Sequence, residues 1–392
     1  MTGDMILTSE SVTPGHPDKL CDQISDAAID AFLRQDPGAR AVVECAMATG
    51  VVFLAARFAA EAAIDLPSLA RKVIADAGYL DSRFDARSCS ILTSFTELPL
   101  AMREPPLAAP DEDEIQRHCA QDQGSVFGYA CRESPELMPL PISLAHRLAR
   151  ALDRRRRQGG LRWLLPDGKS QISIEYRNGR PVRIHSLSLT AAVAPETPGA
   201  EVDERLRLLA VEALADGDMQ PDGKTGIHIN AGGPYETGGP ARHAGLTGRK
   251  NGIDTYGEIA HQSGAALSGK DPSRIDRVAA YAARHAAKNV VAADLAERCE
   301  VHLAYAIGQA RPISISVESF GTGAASDAEI AARLARRVDF RPAAIVHRFS
   351  LRTRPMAADD NGFYRPLAVY GHFGRADLDL PWEATDIADM LR

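Results

Sequence analysis

Charged side chains stand beside glycines in three places where the chain could bind a polyphosphate. These segments are Asp167-Gly168-Lys169-Ser170, Gly248-Arg249-Lys250 and Ser268-Gly269-Lys270-Asp271. Glycine lets main-chain N–H groups come close to an oxyanion, and the neighbouring cation neutralises its charge. Any one of these segments can equally be a surface turn, so the prediction of anion binding depends on all of them together.

An imidazole, a carboxylate and an ammonium group stand together in Gly15-His16-Pro17-Asp18-Lys19, at the start of a predicted helix. The positive end of a helix favours phosphate, and Asp18 could hold a Mg²⁺ ion that bridges to it. The alternative is a helix cap that binds no ligand. Combined with the glycine-flanked cations, the segment favours phosphate binding.

A nucleotide-binding P-loop is nearly matched between Gly264 and Lys270, which fit the spacing G-x-x-x-x-G-K. The motif needs Ser or Thr next for the metal ion, but Asp271 stands there. The preceding residues 258–263 also lack the pattern of a buried strand. The sequence therefore disfavours a P-loop NTPase.

The composition is that of a globular protein, with 392 residues, 45% hydrophobic residues and a formal charge of -7. A mildly acidic chain is not suited to bulk binding of nucleic acid. No apolar run of about 18 residues predicts a membrane span, and residues 1–10 do not resemble a signal peptide. The six cysteines form no C-x-x-C pair, which favours free thiols and a cytoplasmic location.

Hydrophobic periodicity and turn residues predict an α+β chain without regular βαβ alternation. Helices are predicted from Pro17 to about Asp36 and over 66–77, 274–296 and 327–338. Strands are predicted over 41–48, 51–58, 171–176, 181–192 and 313–320. The turn Asn178-Gly179 joins two of them as a hairpin.

Two segments allow more than one interpretation. Residues 98–116 are rich in proline, alanine and acidic side chains, which is typical of a linker or of a mobile loop beside a site. Residues 154–157 are four consecutive arginines before Gly159-Gly160, and we interpret them as the solvated end of a helix.

Long motifs in collinear order, from Thr8 to the C-terminus, resemble the S-adenosylmethionine synthetase family. The matching segments are Ser9-Glu10-Ser11-Val12, Gly15-His16-Pro17-Asp18-Lys19, Asp22-Gln23-Ile24-Ser25-Asp26-Ala27, Asp122-Gln123-Gly124, Phe127-Gly128-Tyr129, Gly245-Leu246-Thr247-Gly248-Arg249-Lys250, Asp254-Thr255-Tyr256-Gly257, Ser268-Gly269-Lys270-Asp271, Asp276-Arg277, Ala279-Ala280-Tyr281-Ala282-Ala283-Arg284 and Tyr370-Gly371-His372-Phe373-Gly374-Arg375. So many long motifs in one order do not arise by chance.

The resemblance implies three similar α+β subdomains about a pseudo-threefold axis, each with a β-sheet and packed helices. The expected divisions are an N-terminal subdomain over 3–100, a gating loop over 101–121, a central subdomain over 122–240 and a C-terminal subdomain over 241–392. Two chains are expected to pair with active sites at their interface, as a homodimer or a dimer of dimers.

The implied reaction is attack by a thioether sulfur, that of L-methionine, on C5′ of ATP. It gives the S-adenosyl sulfonium and triphosphate, which the same site hydrolyses to pyrophosphate and phosphate. Mg²⁺ and K⁺ are the implied cofactors. The expected partners are ATP, methionine or another thioether, and a second copy of the chain, with no nucleic acid and no membrane.

The family's functional residues carry over to matching positions of this chain. The positions that match ATP and triphosphate contacts are His16, Lys19, Asp122, Asp167, Lys169, Tyr235, Arg249, Lys250, Ala266 and Lys270. The resemblance assigns catalytic roles to His16, Lys169, Arg249 and Lys270. Asp18 and Asp276 match carboxylates associated with Mg²⁺, and Glu44 matches the K⁺ ligand. Tyr235 replaces the family's phenylalanine and keeps an aromatic ring for adenine.

The thioether pocket departs from the family pattern at Arg57, His243 and Arg274. Arg57 and His243 stand where the family has carboxylates that hold the methionine ammonium, and Arg274 replaces a lysine near its carboxylate. An arginine in place of a carboxylate turns attraction for an ammonium into repulsion. Alternatively, Arg57 turns outward and acids such as Glu61 or Glu236 take over.

Three functions remain open from the sequence. The first is synthesis of S-adenosylmethionine from ATP and methionine. The second is the same ATP chemistry on a thioether that lacks the amino group. The third is a catalytically impaired regulatory paralogue, which the retained cations and carboxylates of the ATP site disfavour.

Overall fold

A computed structural model describes residues 4–80, 83–217 and 219–392 of the chain. The N-terminal third runs in the order β1 (Met5–Val12), α1 (Pro17–Gln35), β2 (Arg40–Ala48), β3 (Val51–Ala59), α2 (Leu66–Ala77), β4 (Ser90–Glu97), α3 (Glu112–Arg117) and β5 (Gly124–Cys131). The middle consists of α4 (Leu140–Arg157), β6 (Leu164–Arg177), β7 (Arg180–Val193), α5 (Gly199–Leu214) and β8 (Gly226–Ile229).

The last third begins with two short elements and contains the longest buried helix of the C-terminal part. Its elements are β9 (Gly245–Leu246), α6 (Asn251–Asp254), α7 (Ile275–Ala292), β10 (Arg298–Tyr305), β11 (Ser314–Glu318), α8 (Asp327–Arg337), α9 (Pro342–Arg348), α10 (Arg354–Ala357) and α11 (Ala388–Leu391). Helices and strands occur together in these elements without regular βαβ alternation, which confirms the predicted α+β class.

The strands form three sheets, with orders β1-β6-β7-β8, β4-β3-β2-β9 and β11-β10-β5. Each sheet includes a strand from a distant part of the sequence: β1 pairs with β6, β9 with β2, and β5 with β10. Each sheet therefore combines strands from different predicted subdomains. The predicted subdomain boundaries describe only the order of the segments along the chain, and they stay a prediction.

Helix α1 is buried on nearly all sides and so lies inside the protein. Leu20, Ile24, Ala28 and Phe32 are each at most 2% exposed and pack in the main hydrophobic core. Pro17 at the first turn, with its fixed φ, and acidic Asp18 suit the helix start. The main core fixes α1 rigidly, so its N-terminus can position side chains for chemistry.

The four-stranded sheet β4-β3-β2-β9 buries one face against this core and leaves the other open. On β2, Val43 and Cys45 point into the core, whereas Glu44 between them is exposed, as strand alternation requires. Among the described residues, no helix is both long and apolar enough to cross a lipid bilayer.

Candidate active site

His16 is the N-cap residue of α1, in extended conformation with φ −64° and ψ 133°. The backbone N–H of Thr13 donates to the Gly168 carbonyl at 2.9 Å, and that of His16 donates to the Thr13 carbonyl at 3.0 Å. These bonds tie the turn before the helix to strand β6. The start of α1 is therefore held directly beside the Asp167-Gly168-Lys169 segment.

The His16 imidazole is only 2% exposed. Burial lowers its pKa from 6.5 to about 3, and nearby Lys169 adds to the effect, although Asp167 acts in the opposite direction. A histidine with so low a pKa is neutral across the physiological range. It can donate or accept a hydrogen bond there, but it contributes no positive charge.

Asp167 is a buried carboxylate, and one of its side-chain oxygens has three hydrogen-bond partners. Its Oδ2 accepts from the Tyr235 hydroxyl at 2.6 Å and the Gly239 N–H at 2.7 Å, and lies 3.1 Å from His243 Nε2. Burial acts to raise the pKa of Asp167, but these hydrogen bonds outweigh it and hold the pKa below its usual value. Asp167 is thus an anion that fixes the positions of Tyr235 and His243.

The Tyr235 ring is almost buried, at 9% exposure, and the Arg242 guanidinium lies over it, 4.9 Å from the ring centroid. The His16 and His243 rings also contact each other, with centroids 4.9 Å apart. The site therefore brings one aromatic ring and two imidazoles around Asp167.

Asp18 lies on the other side of the helix start and is nearly buried. Its Oδ1 accepts from the Leu246 N–H at 3.1 Å and is 3.7 Å from Arg249 Nε, while the Arg249 side chain is 56% exposed. The next residue, Lys250, pairs with Glu10 at 2.8 Å. Two of the predicted cations are therefore already beside carboxylates, with part of each side chain accessible to solvent.

Lys169 differs from these cations. It lies on β6 opposite Val12 and Thr190, and its side chain is half-buried. In the part of the chain that the structure describes, no carboxylate lies within ion-pair distance of its ammonium. It is close enough to lower the pKa of His16. Lys169 is therefore a cation next to His16 that carries an uncompensated charge.

A second group of predicted residues lies around the open face of the sheet β4-β3-β2-β9. Lys270 pairs with Asp276 at 2.7 Å, and Arg274 lies 3.4 Å from Asp122. Arg274, Glu44 and Arg57 line one cavity of about 450 Å³. Arg57 is exposed on β3, opposite Val42 of β2 and on the same face as Glu44. The thioether-pocket residues Arg57 and Arg274 therefore come together here, whereas His243 does not join them.

Ala266 connects the loop that precedes Lys270 to the loop of Arg249. Gly248 has a φ of +77°, and a Cβ atom at this position would collide with the Ala266 Cβ. Glycine is needed at 248 both for the left-handed backbone and for this close approach. Ala266 therefore contacts the Arg249 loop.

The two groups are separate within one chain. Among the described residues, no hydrogen bond or ion pair joins the group of His16, Asp18, Asp167, Lys169 and His243 to the group around Glu44. Each group therefore holds only part of the predicted cations.

Lys19 is placed differently from the expectation. Its side chain is fully buried, and its ammonium donates to Asp22 at 2.9 Å and also to Asp254. Burial lowers the pKa of Lys19, but the two carboxylates outweigh it, so the net pKa is raised. The structure does not bring Lys19 to an accessible surface, and the geometry gives its charge a structural role inside the core.

The segment 101–121, expected as a gating loop, is held by ion pairs in this conformation. Arg103 bonds Asp36 at 2.7 Å and Glu61 at 2.9 Å, and Glu104 bonds Arg352 at 2.8 Å. Glu61 is therefore already paired and does not face Arg57's cavity. Whether the segment gates a site stays a prediction.

Three further residues support the site without having been singled out from the sequence. The Tyr79 hydroxyl donates to the Gly15 carbonyl at 2.5 Å, Arg242 covers Tyr235, and Glu10 holds Lys250. Glu10 lies within the motif Ser9-Glu10-Ser11-Val12, so its negative charge could have indicated a lysine partner from the sequence. Tyr79 and Arg242 gave none, because their contacts depend on tertiary packing.

Comparison with known protein families matches most of the chain. The family models for the S-adenosylmethionine synthetase N-terminal, central and C-terminal domains match residues 4–98, 117–235 and 237–384. These matches follow one another in the order of the chain and together cover well over half of it.

Curated relatives match over nearly the whole length of both chains. A protein of Synechococcus sp. (strain JA-3-3Ab) named S-adenosylmethionine synthase is 47% identical, over 99% of this chain and 97% of its own. Proteins of the same name from Synechococcus elongatus (strain ATCC 33912 / PCC 7942 / FACHB-805) and Prochlorococcus marinus (strain MIT 9211) are 45% and 46% identical. The alignments cover 100% and 97% of this chain, and 98% and 96% of those proteins.

Proposed function

Because this chain belongs to the S-adenosylmethionine synthetase family, we propose that it is a methionine adenosyltransferase. A lone pair of the methionine sulfur forms a bond to C5′ of ATP while the bond from C5′ to the triphosphate oxygen breaks. The products are S-adenosylmethionine and triphosphate. Water then cleaves the triphosphate to pyrophosphate and phosphate.

The observation that carries this proposal is the pairing of a neutral buried imidazole with an uncompensated ammonium, His16 with Lys169. A thioether is a weak nucleophile, so the barrier depends on stabilising the charge that the leaving triphosphate collects. A preorganised cation in a partly buried site does this well, at about 4 kcal/mol for a 4 Å contact at an effective dielectric of about 20.

His16 and the cations have complementary tasks in this mechanism. Neutral His16 can donate a hydrogen bond to an oxygen near C5′ without adding charge, and Lys169 neutralises the departing oxygen. Arg249 and Lys250 are paired with Asp18 and Glu10, and we infer that they exchange these partners for the triphosphate when it binds. Tyr235, fixed by Asp167, would stack on the adenine once the Arg242 guanidinium moves off its ring.

The residues fit the expected cations. Asp18 Oδ2 lies 3.9 Å from His16 Nδ1, and Mg²⁺ is commonly held by one or two carboxylates together with substrate phosphates. Asp18 and Asp276 would hold Mg²⁺, and exposed Glu44 would contribute to a K⁺ site. Bound Mg²⁺ would neutralise charge on the triphosphate.

The relatives favour methionine as the acceptor, and a thioether that lacks the amino group is not favoured. The test is to incubate the purified chain with ATP, Mg²⁺ and K⁺, and with methionine or with deaminated methionine as the matched control. Mass spectrometry should detect S-adenosylmethionine, with triphosphate cleavage products in parallel. Turnover of the deaminated compound alone, or of neither thioether, would refute the proposal.

Arg57→Glu should improve methionine binding, because it replaces a cation in the Glu44 cavity with an anion that attracts the ammonium. We expect the KM for methionine to fall on the order of tenfold, a change of about 1.4 kcal/mol. The KM for deaminated methionine should not fall. Arg162→Glu is the control, because Arg162 is exposed and does not line this cavity. A KM that does not change in Arg57→Glu would show that Arg57 turns away from the acceptor.

We also propose that a second copy of the chain completes the site. The open face of β4-β3-β2-β9 carries a row of paired positions, Leu92, Phe53, Ala46 and Leu246. Leu92, Phe53 and Leu246 are 55%, 43% and 45% exposed. Contiguous apolar surface of this kind favours protein association, and the same face carries Glu44 and Arg57, so a partner there would also cover the second residue group.

Leu92→Asp should weaken this pairing by placing a charge in the apolar row. We expect the sedimentation coefficient to shift from that of a dimer toward that of a monomer, with activity lost in proportion. Leu208→Asp is the matched control. Leu208 on α5 is similarly exposed, at 49%, but α5 does not belong to the face of β4-β3-β2-β9. If Leu92→Asp and Leu208→Asp had the same sedimentation coefficient, the dimer interface would not lie on this face.

We place the reaction in the cytoplasm. All six cysteines are free, and five of them are buried. Free thiols without disulfides are typical of proteins in a reducing compartment.

A further inference from the structure

Three side chains from distant segments converge at the start of α1. His16 caps α1, Asp167 lies on β6, and His243 follows the 3₁₀ turn Gly239–Ala241. One potential ligand atom from each lies within 4.8 Å of the others. Within the described ranges 4–80, 83–217 and 219–392, this is the only such group of at least three histidine, cysteine or acidic side chains.

The donor set of two imidazoles and one carboxylate differs from that of the expected Mg²⁺ sites. Mg²⁺ prefers oxygen ligands, whereas imidazole with carboxylate suits Zn²⁺ and similar borderline transition ions. Three protein ligands with one open position are typical of zinc sites that keep water or another small ligand. The chemistry therefore separates this group from Asp18 and Asp276.

A second observation points to an unfilled ligand position on Asp167 itself. Asp167 is 1% exposed, and its Oδ1 has no hydrogen-bond partner within the described residues, although Oδ2 has three. A buried carboxylate oxygen without a partner costs free energy. A cation on the Oδ1 side would remove that cost without disturbing the bonds from Tyr235 and Gly239.

The surroundings are those that support metal-bound histidines. His16 Nδ1 accepts a hydrogen bond from the Asp18 backbone N–H at 3.3 Å, which orients the imidazole. Asp167 is itself held by Tyr235 and Gly239. His243 is 30% exposed, so an ion can enter from solvent on that side.

We propose that His16, Asp167 and His243 form a site for a divalent transition ion of the Zn²⁺ or Co²⁺ type. The site lies beside Asp18, one of the two expected Mg²⁺ carboxylates, and shares His16 with the ATP site. On the proposed function, an ion bound here uses His16 as a ligand and so slows adenosyl transfer.

The binding test uses Co²⁺, with excess Mg²⁺ present to fill sites made of oxygen ligands and without ATP or methionine. The intact chain should develop the visible absorption of four-coordinate Co²⁺ with about one equivalent per chain. His243→Ala should weaken binding by at least about tenfold. His228→Ala, at an exposed histidine on β8, should bind Co²⁺ like the original protein.

Absence of the absorption, or equal binding by His243→Ala, would overturn the site. Because this readout needs no catalysis, it holds or fails independently of the proposed function. In the assay at fixed Mg²⁺, Zn²⁺ should inhibit the original chain more strongly than His243→Ala, each measured against its own rate without Zn²⁺. Equal inhibition would contradict the link to turnover.

Discussion

Lys169→Ala should lower kcat/KM for adenosyl transfer by about 100- to 1000-fold, the usual loss when one preorganised group that stabilises developing negative charge is removed. Arg249, Lys250 and Lys270 each have a carboxylate neighbour, whereas Lys169 has none in the described part of the chain. Its charge is therefore fully available to the triphosphate. Steady-state kinetics with ATP and methionine measure the effect.

Lys72→Ala is the matched control, because Lys72 is an exposed lysine on α2, away from His16. Its kcat/KM should be unchanged. Lys169→Arg should restore part of the lost activity, because the charge returns with altered geometry. A Lys169→Ala enzyme within a factor of about two of the original rate, with an unchanged melting temperature, would remove Lys169 from the mechanism.

Lys19→Met should destabilise the protein strongly instead of weakening ATP binding. The change leaves the carboxylates of Asp22 and Asp254 buried together without their cation. Removing one partner of a buried ion pair costs about 3–5 kcal/mol. At fixed protein concentration, the melting temperature should fall on the order of 5 °C or more.

Two further variants define the cause. Lys72→Met, which removes an exposed ammonium, should not change the melting temperature. Adding Asp22→Asn and Asp254→Asn to Lys19→Met should recover much of the loss, because no buried charge then remains unpaired. A raised KM for ATP with an unchanged melting temperature would instead return Lys19 to the triphosphate site.

Local patterns in the sequence predicted many elements well. The apolar period after Pro17 gave α1, and the turn Asn178-Gly179 gave the hairpin of β6 and β7. The arginines at 154–157 do end helix α4, although Arg156 turns back to bond Asp153 at 2.9 Å. These features depend on neighbours within a few residues, which is the information that a single sequence carries.

Partners distant in the sequence could not be predicted this way. Strand β5 lies at the start of the predicted central subdomain, yet it pairs with β10 of the predicted C-terminal subdomain. In the site, the structure places His16, Lys169 and Arg249 near the start of α1, where their roles stay predictions, but Lys19 in the same motif is buried. Spacing alone does not show which of two adjacent charges faces solvent, because Asp254, which pairs with Lys19, lies 235 positions away.

The exchange of strands among the three sheets also affects the order in which the chain can fold during synthesis. Strand β1 leaves the ribosome long before its partner β6, and β2 has to wait for β9. Pairings between distant segments form slowly because a long loop must close first. We therefore expect the nascent protein to expose unpaired strand edges until late in translation, when such edges favour aggregation.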